Sequence, residues 1–311
     1  MDDERTGDNR REFLKCMAWA GTGALFTVSG GIPTSLGLDA ALAAGPKPAA
    51  FRFLQISDSH IGFAKPANPD ARATLREAVA KVLALPDKPD FIVHTGDVSQ
   101  LSRDEEFDDA HEILREAGVP LFFIPGEHDM LDPDGGKAFL ARFGQGTRGA
   151  GWYSFDHRGV HFVALVNVAD LKPGGMGNLG QEQLAWLKAD LAGLASSTPI
   201  VVLAHIPLWT VYADWGWGTD DSEQALRLLR RFGSVTVLNG HIHQIAQKVE
   251  GNIAFHTARS TAFPQPAPGT APSPGPLTVP AGQLRSMLGI TTASFVRGHE
   301  PIALVDAALA S

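Results

Sequence analysis

The chain has 311 residues, 44% hydrophobic and 19% charged, with a formal net charge of −8. This is ordinary globular composition, with ample length for a sizeable core. An acidic chain without Lys/Arg clusters is a poor match to polymeric nucleic acid, whose binding depends on neutralising phosphates with basic side chains.

Residues 1–43 carry four basic and six acidic side chains. They include Asn9-Arg10-Arg11-Glu12-Phe13-Leu14-Lys15, then a moderately apolar, Gly-rich stretch from Met17 to about Leu38. Ala41-Leu42-Ala43 offers a small-x-small cleavage site. This segment resembles a twin-arginine signal peptide, which implies a protein handed to the twin-arginine translocation machinery and sent to the periplasm or beyond. Gly, Ser, Thr and Pro interrupt the apolar stretch, so no stable membrane span is expected from it. The one cysteine, Cys16, lies inside this segment, and the residues before it are not those of a lipidated site. Without it the chain has no disulfide and no thiolate ligand.

Residues 44–50 form a short linker, and a single domain is expected over 51–311. Apolar runs at Phe51–Ile56, Phe91–His94, Leu121–Ile124, Ile200–Ala204 and Val235–Leu238 read as strands. Between them, Leu75, Val79 and Val82 recur at helical spacing. So do Phe107, Ala110, Leu114 and Ala117, and then Leu184, Leu187, Leu191 and Leu194. Trp152–Asp156 and Val160–Val166 flank His157-Arg158-Gly159 as a hairpin. Gln244–Glu250 and Ile253–Thr257 do the same around Gly251-Asn252. Residues 264–282 are Pro-rich and read as a surface excursion, and Pro301–Val305 supplies a last strand. βα units mixed with hairpins predict an α/β (α+β) protein of two packed sheets with helices outside.

Five short motifs mostly follow the strand-like runs: Asp58-Ser59-His60, Gly96-Asp97, Gly126-Glu127-His128-Asp129, Ala204-His205 and Gly240-His241-Ile242-His243. Ligands of open α/β sheets bind outside the carboxyl ends of the strands, so these side chains should converge on one rim. Carboxylate and imidazole are the ligands of hydrolytic metal ions, and a two-metal hydrolase needs one ligand that bridges both ions. Asp58, Asp97 and Glu127 with His60, His205, His241 and His243 supply candidates for two metal ions.

The ordered set resembles the calcineurin-like metallophosphoesterase family, and its compact spacing is similar to that of class III cyclic-nucleotide phosphodiesterases. The resemblance implies a four-layer αββα sandwich of two mixed sheets flanked by helices. It implies that Asp58, His60, Asp97 and His243 hold one metal, with Asp97 bridging, and that Glu127, His205 and His241 complete the second. His128 would assist the leaving oxygen, and Asp129 would orient His128 through its other ring nitrogen. The implied activity is hydrolysis of a small phosphodiester or phosphomonoester, nucleotide-like substrates included, by a metal-bridging hydroxide. Gln100 stands where purple acid phosphatases carry a tyrosine, which disfavours that subgroup.

Glu127 departs from the family pattern, which has Asn there. The extra charge favours an Fe- or Mn-type pair, with zinc as the alternative, if the carboxylate binds. If it swings away, one metal site remains. A second reading is a weak or inactive metal- or partner-binding protein on the same fold, in which the over-charged site holds metal tightly and hydrolyses poorly. His94 reads as a packed strand residue and His111 as a solvated helix residue. His256 is placed near the rim. Trp209, Tyr212, Trp215 and Trp217, just after His205, suit either a local aromatic core or a wall of the substrate pocket.

Overall fold

A computed structural model of the protein describes residues 25–29, 32–36, 51–296 and 299–310. The paired arginines and the cleavage site proposed for the N-terminal segment lie outside the described residues. Residues 1–48 form one unit, in which β1 (Leu25–Ser29) and β2 (Ile32–Leu36) pair as an antiparallel hairpin. Residues 49–311 form the second unit, which contains everything that follows. Among the described residues no helix is long and apolar enough to cross a membrane.

The second unit is built on two mixed sheets. Its first sheet uses β3 (Phe51–Ile56), β4 (Phe91–Thr95), β5 (Leu121–Ile124), β12 (Gly289–Val296) and β13 (His299–Ala308), in the order β13-β12-β3-β4-β5. β3, β4 and β5 run parallel, while β12 and β13 join antiparallel. The other sheet uses β6 (Tyr153–His157), β7 (Val160–Ala164), β8 (Ile200–Leu203), β9 (Val235–Asn239), β10 (Gln247–Glu250) and β11 (Ile253–Thr257), in the order β10-β11-β9-β8-β7-β6.

Strand alternation assigns each side chain to a layer. Phe51 and Phe53 of β3 point between the sheets, where they meet Phe91, Phe162, Leu203 and Leu238. Leu54 and Ile56 point the other way, onto α1 (Ala71–Leu83) and α2 (Asp104–Arg115). α3 (Lys137–Phe143) adds Phe139 to that outer layer. On the far side α4 (Gln181–Leu191) and α5 (Ser222–Leu229) cover the second sheet through Leu184, Leu187, Leu226 and Leu229. The result is the expected four-layer αββα sandwich. Full burial of a side chain such as Phe53 contributes about 2–3 kcal/mol. Gln55 bridges the sheets at the rim, because its Nε2 donates to Thr95 Oγ1 of β4 and to the Asn239 carbonyl of β9, each at 3.0 Å.

Local signals explain the helix ends. Asp70 caps α1 by accepting the Ala73 N–H at 2.9 Å. Three acidic residues open α2 and Arg115 closes it, which suits the helix dipole. α4 ends at Leu191, one step short of the expected Leu194, which packs on the same core from outside the helix. The β6–β7 hairpin turns through Arg158 and Gly159, both at positive φ. The β10 strand begins at Gln247, later than the expected Gln244.

Candidate metal centre

The loops after β3, β4, β5, β8 and β9 bring all seven expected ligands to one rim. Asp58, His60, Asp97 and His243 form one group that could hold a metal ion, and Glu127, His205 and His241 form another. Asp97 stands between them: its Oδ2 lies 3.4 Å from His60 Nε2 and 3.4 Å from His205 Nε2. Glu127 does not swing away. Its Oε1 lies 2.9 Å from His241 Nδ1 and its Oε2 lies 2.9 Å from His205 Nε2.

Five of these residues occupy the left-handed region that L side chains rarely adopt: Asp58, His60, Asp97, His241 and His243. Such conformations cost about 1–3 kcal/mol each, and surrounding structure must hold them. Here the Asp58 N–H donates to the Gly96 carbonyl at 3.0 Å, His60 N–H to the Asp97 carbonyl at 2.9 Å, and His241 N–H to Asp58 Oδ1 at 3.0 Å. Gly126 is required for a different reason. A Cβ there would fall inside the Asp97 carboxylate.

The imidazoles are set for metal. His205 Nδ1 lies 2.7 Å from the Thr95 carbonyl, His243 Nδ1 lies 2.6 Å from the Phe263 carbonyl, and His60 Nδ1 lies 3.1 Å from Gln100 Oε1. An oxygen at Nδ1 fixes the proton there and leaves the Nε2 lone pair facing the centre. Burial pushes the His60 ring down to about 3, which keeps it neutral. Burial also works against charge on His205, but Asp97 and Glu127 outweigh it and raise that ring well above its ordinary value. A positive charge is therefore favoured between those carboxylates, as a bound cation would supply.

Unmet polar atoms point the same way. Asp58 Oδ2 and His241 Nε2 are buried without a hydrogen-bond partner, and Glu127 Oε2, His205 Nε2 and His241 Nδ1 meet only one another's side chains. Three carboxylates close together with orphaned donor atoms are costly unless a cation joins them. The residues present fit two metal ions.

His128 stands beside the centre with its ring edge-on to His60 at 4.8 Å. Its N–H donates to Asp97 Oδ1 at 2.9 Å, and its Nδ1 lies 2.7 Å from the Gln100 carbonyl. That carbonyl takes the Nδ1 proton, so Nε2 is the nitrogen left for the cleft. Burial opposes charge on this ring, yet Asp97, Glu127 and the Gln100 carbonyl raise its pKa. A cation bound by Asp97 and Glu127 draws on the same charge and moves the ring back toward its ordinary value.

Asp129 requires a correction. It does not touch the His128 ring. Its buried carboxylate accepts the N–H groups of Val98 (3.0 Å), Ser99 (2.8 Å) and Gly126 (2.9 Å) and the Ser99 hydroxyl (2.8 Å). It clamps the Asp97 loop to the Gly126 loop. Burial and Asp97 push this carboxyl up to about 7, against the lowering effect of the three backbone donors.

The aromatic loop is also resolved. Trp215 and Trp217 are buried against Ile242, between the ligands His241 and His243, so they support the centre from below. Trp209 packs on Phe255. The cleft itself, about 230 Å³, is lined by His60, Asp97, Glu127, His128 and His243, by Gln100, and by residues that sequence motifs do not mark, including Lys65 and Gln265. The Pro-rich excursion therefore forms part of the cleft wall. His94 is the packed strand residue expected, with Nε2 3.0 Å from Ser59 Oγ. His256 pairs with Asp306 at 3.0 Å and is not among the ligand groups.

Residues 51–245 match the family described as calcineurin-like phosphoesterase. The chain is similar to a 3′,5′-cyclic adenosine monophosphate phosphodiesterase of Haemophilus influenzae, 28% identical over 200 residues, covering 62% of this chain and 70% of that protein. It is also similar to a glycerophosphodiester phosphodiesterase of Enterobacter lignolyticus, 25% identical over 206 residues, covering 63% and 71%. In fold it resembles a dimetal phosphatase from Danio rerio with a TM-score of 0.62 and 15% identity, covering 85% of this chain and 98% of that one.

Proposed function

The chain belongs to the calcineurin-like phosphoesterase family, a metal-dependent phosphoric ester hydrolase, and we propose that it is an exported two-metal enzyme acting on a small phosphodiester. One observation carries this reading: two ligand groups meet at the Asp97 carboxylate, with His128 beside them in the cleft. When bound, the two ions would supply Lewis acidity to the phosphate and lower the pKa of water.

The chain's own residues supply the rest. Asp58, His60, Asp97 and His243 would hold one ion, and Glu127, His205 and His241 would hold the other. Oxygen partners at Nδ1 keep His60, His205 and His243 turned inward. In its doubly protonated form His128 gives the Nε2 proton to the departing ester oxygen and is left neutral, with Nδ1–H still on the Gln100 carbonyl. A diester is favoured because relatives of this chain act on cyclic adenosine monophosphate and on glycerophosphodiesters. Glu127 in place of a neutral amide adds negative charge, which favours an Fe- or Mn-containing pair over two zinc ions.

Export rests on the Arg10-Arg11 motif and the small residues at Ala41-Leu42-Ala43. Replacing both arginines by Lys should retain the protein in the cytoplasm, and unchanged export would remove this part of the reading. For the activity, metal content and p-nitrophenol release from bis(p-nitrophenyl) phosphate and p-nitrophenyl phosphate should be measured on one sample with Mn(II). Two metals per chain with faster diester cleavage is the expected result. Two bound metals without turnover would favour a binding protein on this fold.

A further inference from the structure

The Pro-rich segment 264–282 lies beyond the family-matched residues 51–245, yet it walls the cleft through Gln265, Gly275 and Pro276. It is built onto the centre. Gln265 Nε2 donates to the His241 carbonyl at 2.9 Å, and Gln244 Nε2 donates to the Pro266 carbonyl at 3.1 Å. Leu277 N–H closes the loop on the Pro264 carbonyl at 2.8 Å. Ala271 rests on the Trp215–Trp217 cluster. Seven prolines within 264–282 restrict its backbone. This is a stiff wall fixed to the backbone of a ligand histidine.

Among the described residues that line the cleft, Lys65 is the one Lys or Arg. Its turn is anchored: Lys65 and Asn68 exchange backbone hydrogen bonds at 3.2 and 2.9 Å, and Asn68 Nδ2 donates to the Ala262 carbonyl at 2.7 Å. The ammonium forms no ion pair among the described residues, and its ring neighbour is Phe63, 5.9 Å to the centroid. Lys65 is exposed at the cleft edge, and an ammonium there without an ion pair among the described residues is available to a ligand.

The aromatic residues are not. Phe63 and Phe263 are each 4% exposed and lie against each other at 4.3 Å. Trp215 and Trp217 do not line the cleft. A nucleobase binds well where a ring face is open to stack on, and among the described residues the Phe rings lining this cleft, Phe63 and Phe263, are buried against each other.

We propose that Lys65 and the 264–282 wall select the part of the substrate that stays on phosphorus: a compact group bearing a second negative charge, in preference to a nucleoside. The proposal rests on the hydrolase reading above and deepens it by naming the substrate class.

The test uses the metal-loaded enzyme and p-nitrophenyl phosphodiesters that share one leaving group. The second alcohol is 2-carboxyethyl, ethyl, choline or thymidine. The carboxyethyl ester should have the highest kcat/KM. Lys65→Met should lower the carboxyethyl-to-ethyl ratio of kcat/KM about tenfold, the size of one charge-assisted contact. Lys65→Glu should shift preference to the choline ester, which loss of folding would not do. A thymidine ester preferred by the wild type, or a ratio unmoved by either variant, overturns the assignment. An equal loss on every ester means that Lys65 holds the phosphate itself, and also overturns it. Release from none of the esters overturns the hydrolase reading and this one with it.

Discussion

The Nδ1 atom of His128 lies 2.7 Å from the carbonyl oxygen of Gln100, and the side-chain Oε1 of the same Gln100 lies 3.1 Å from Nδ1 of His60. One residue thus orients both the leaving-group acid and a metal ligand, by different atoms. The Gln100 amide Nε2 also lies 3.2 Å from His128 Nδ1, so the amide faces both rings while the carbonyl serves His128 alone. Gln100→Ala keeps the carbonyl and removes the amide, so it should weaken metal binding about 10–100-fold, as loss of a ligand's supporting hydrogen bond does. His128→Asn should leave metal content intact. It should slow alkyl leaving groups by about 10²–10⁴-fold and p-nitrophenolate far less, because a good leaving group needs no proton. Metal titration and a leaving-group series check both.

Asp129 is predicted to act through folding. Asp129→Asn places an amide NH₂ against backbone donors now satisfied by a carboxylate. The cost should be about 1–3 kcal/mol, measured by urea unfolding. If the variant unfolds like the wild type but shows altered leaving-group sensitivity, Asp129 acts on His128 after all.

His161 gives a pH prediction away from the metals. Burial disfavours its charge, but hydrogen bonds to Asp190 and Asp156, each 2.9 Å, outweigh it and raise its pKa above the ordinary 6.5. A raised pKa contributes stability that is fully present below the unfolded value and is lost as pH rises through the folded one. The advantage of the wild type over His161→Gln should therefore be larger near about pH 6 than near about pH 9. An advantage that grows with pH would show that the pair is not charged as described.

Glu127→Asn removes one negative charge while keeping an oxygen that can reach the second group. Metal content should stay at two per chain, with the bound metals shifting toward zinc. If metals are lost without that shift, the Glu127 charge holds the ions in place and does not select them.

Much of the centre was legible because its strands are buried on both faces. Such strands read as continuous apolar runs, and the motifs after β3, β4, β5, β8 and β9 mark their carboxyl ends. β12, with Thr291, Thr292 and Ser294 among its residues, has no such run and no expected counterpart. Adjacency misled at Asp129: next to His128 in sequence, its carboxylate turns back into the Asp97 loop. The Trp215–Trp217 composition fits a wall or a core equally, and only burial decides. Lys65 belongs to no motif, and Gln100 was legible only as a departure from the purple acid phosphatase pattern, since the importance of both comes from which loops the fold brings beside them. Left-handed φ at Asp58 or His243 is only weakly legible: Asp and His are enriched there, but residue type does not say which of them adopt it.

The central claim is that Asp97 joins two metal ions, with Glu127 on the second. An anomalous-difference map from crystals of the metal-loaded protein tests it most directly. The account predicts two peaks about 3.5–4 Å apart, with Asp97 between them and Glu127, His205 and His241 around the second. A single peak, or a second ion without Glu127 at it, would contradict it.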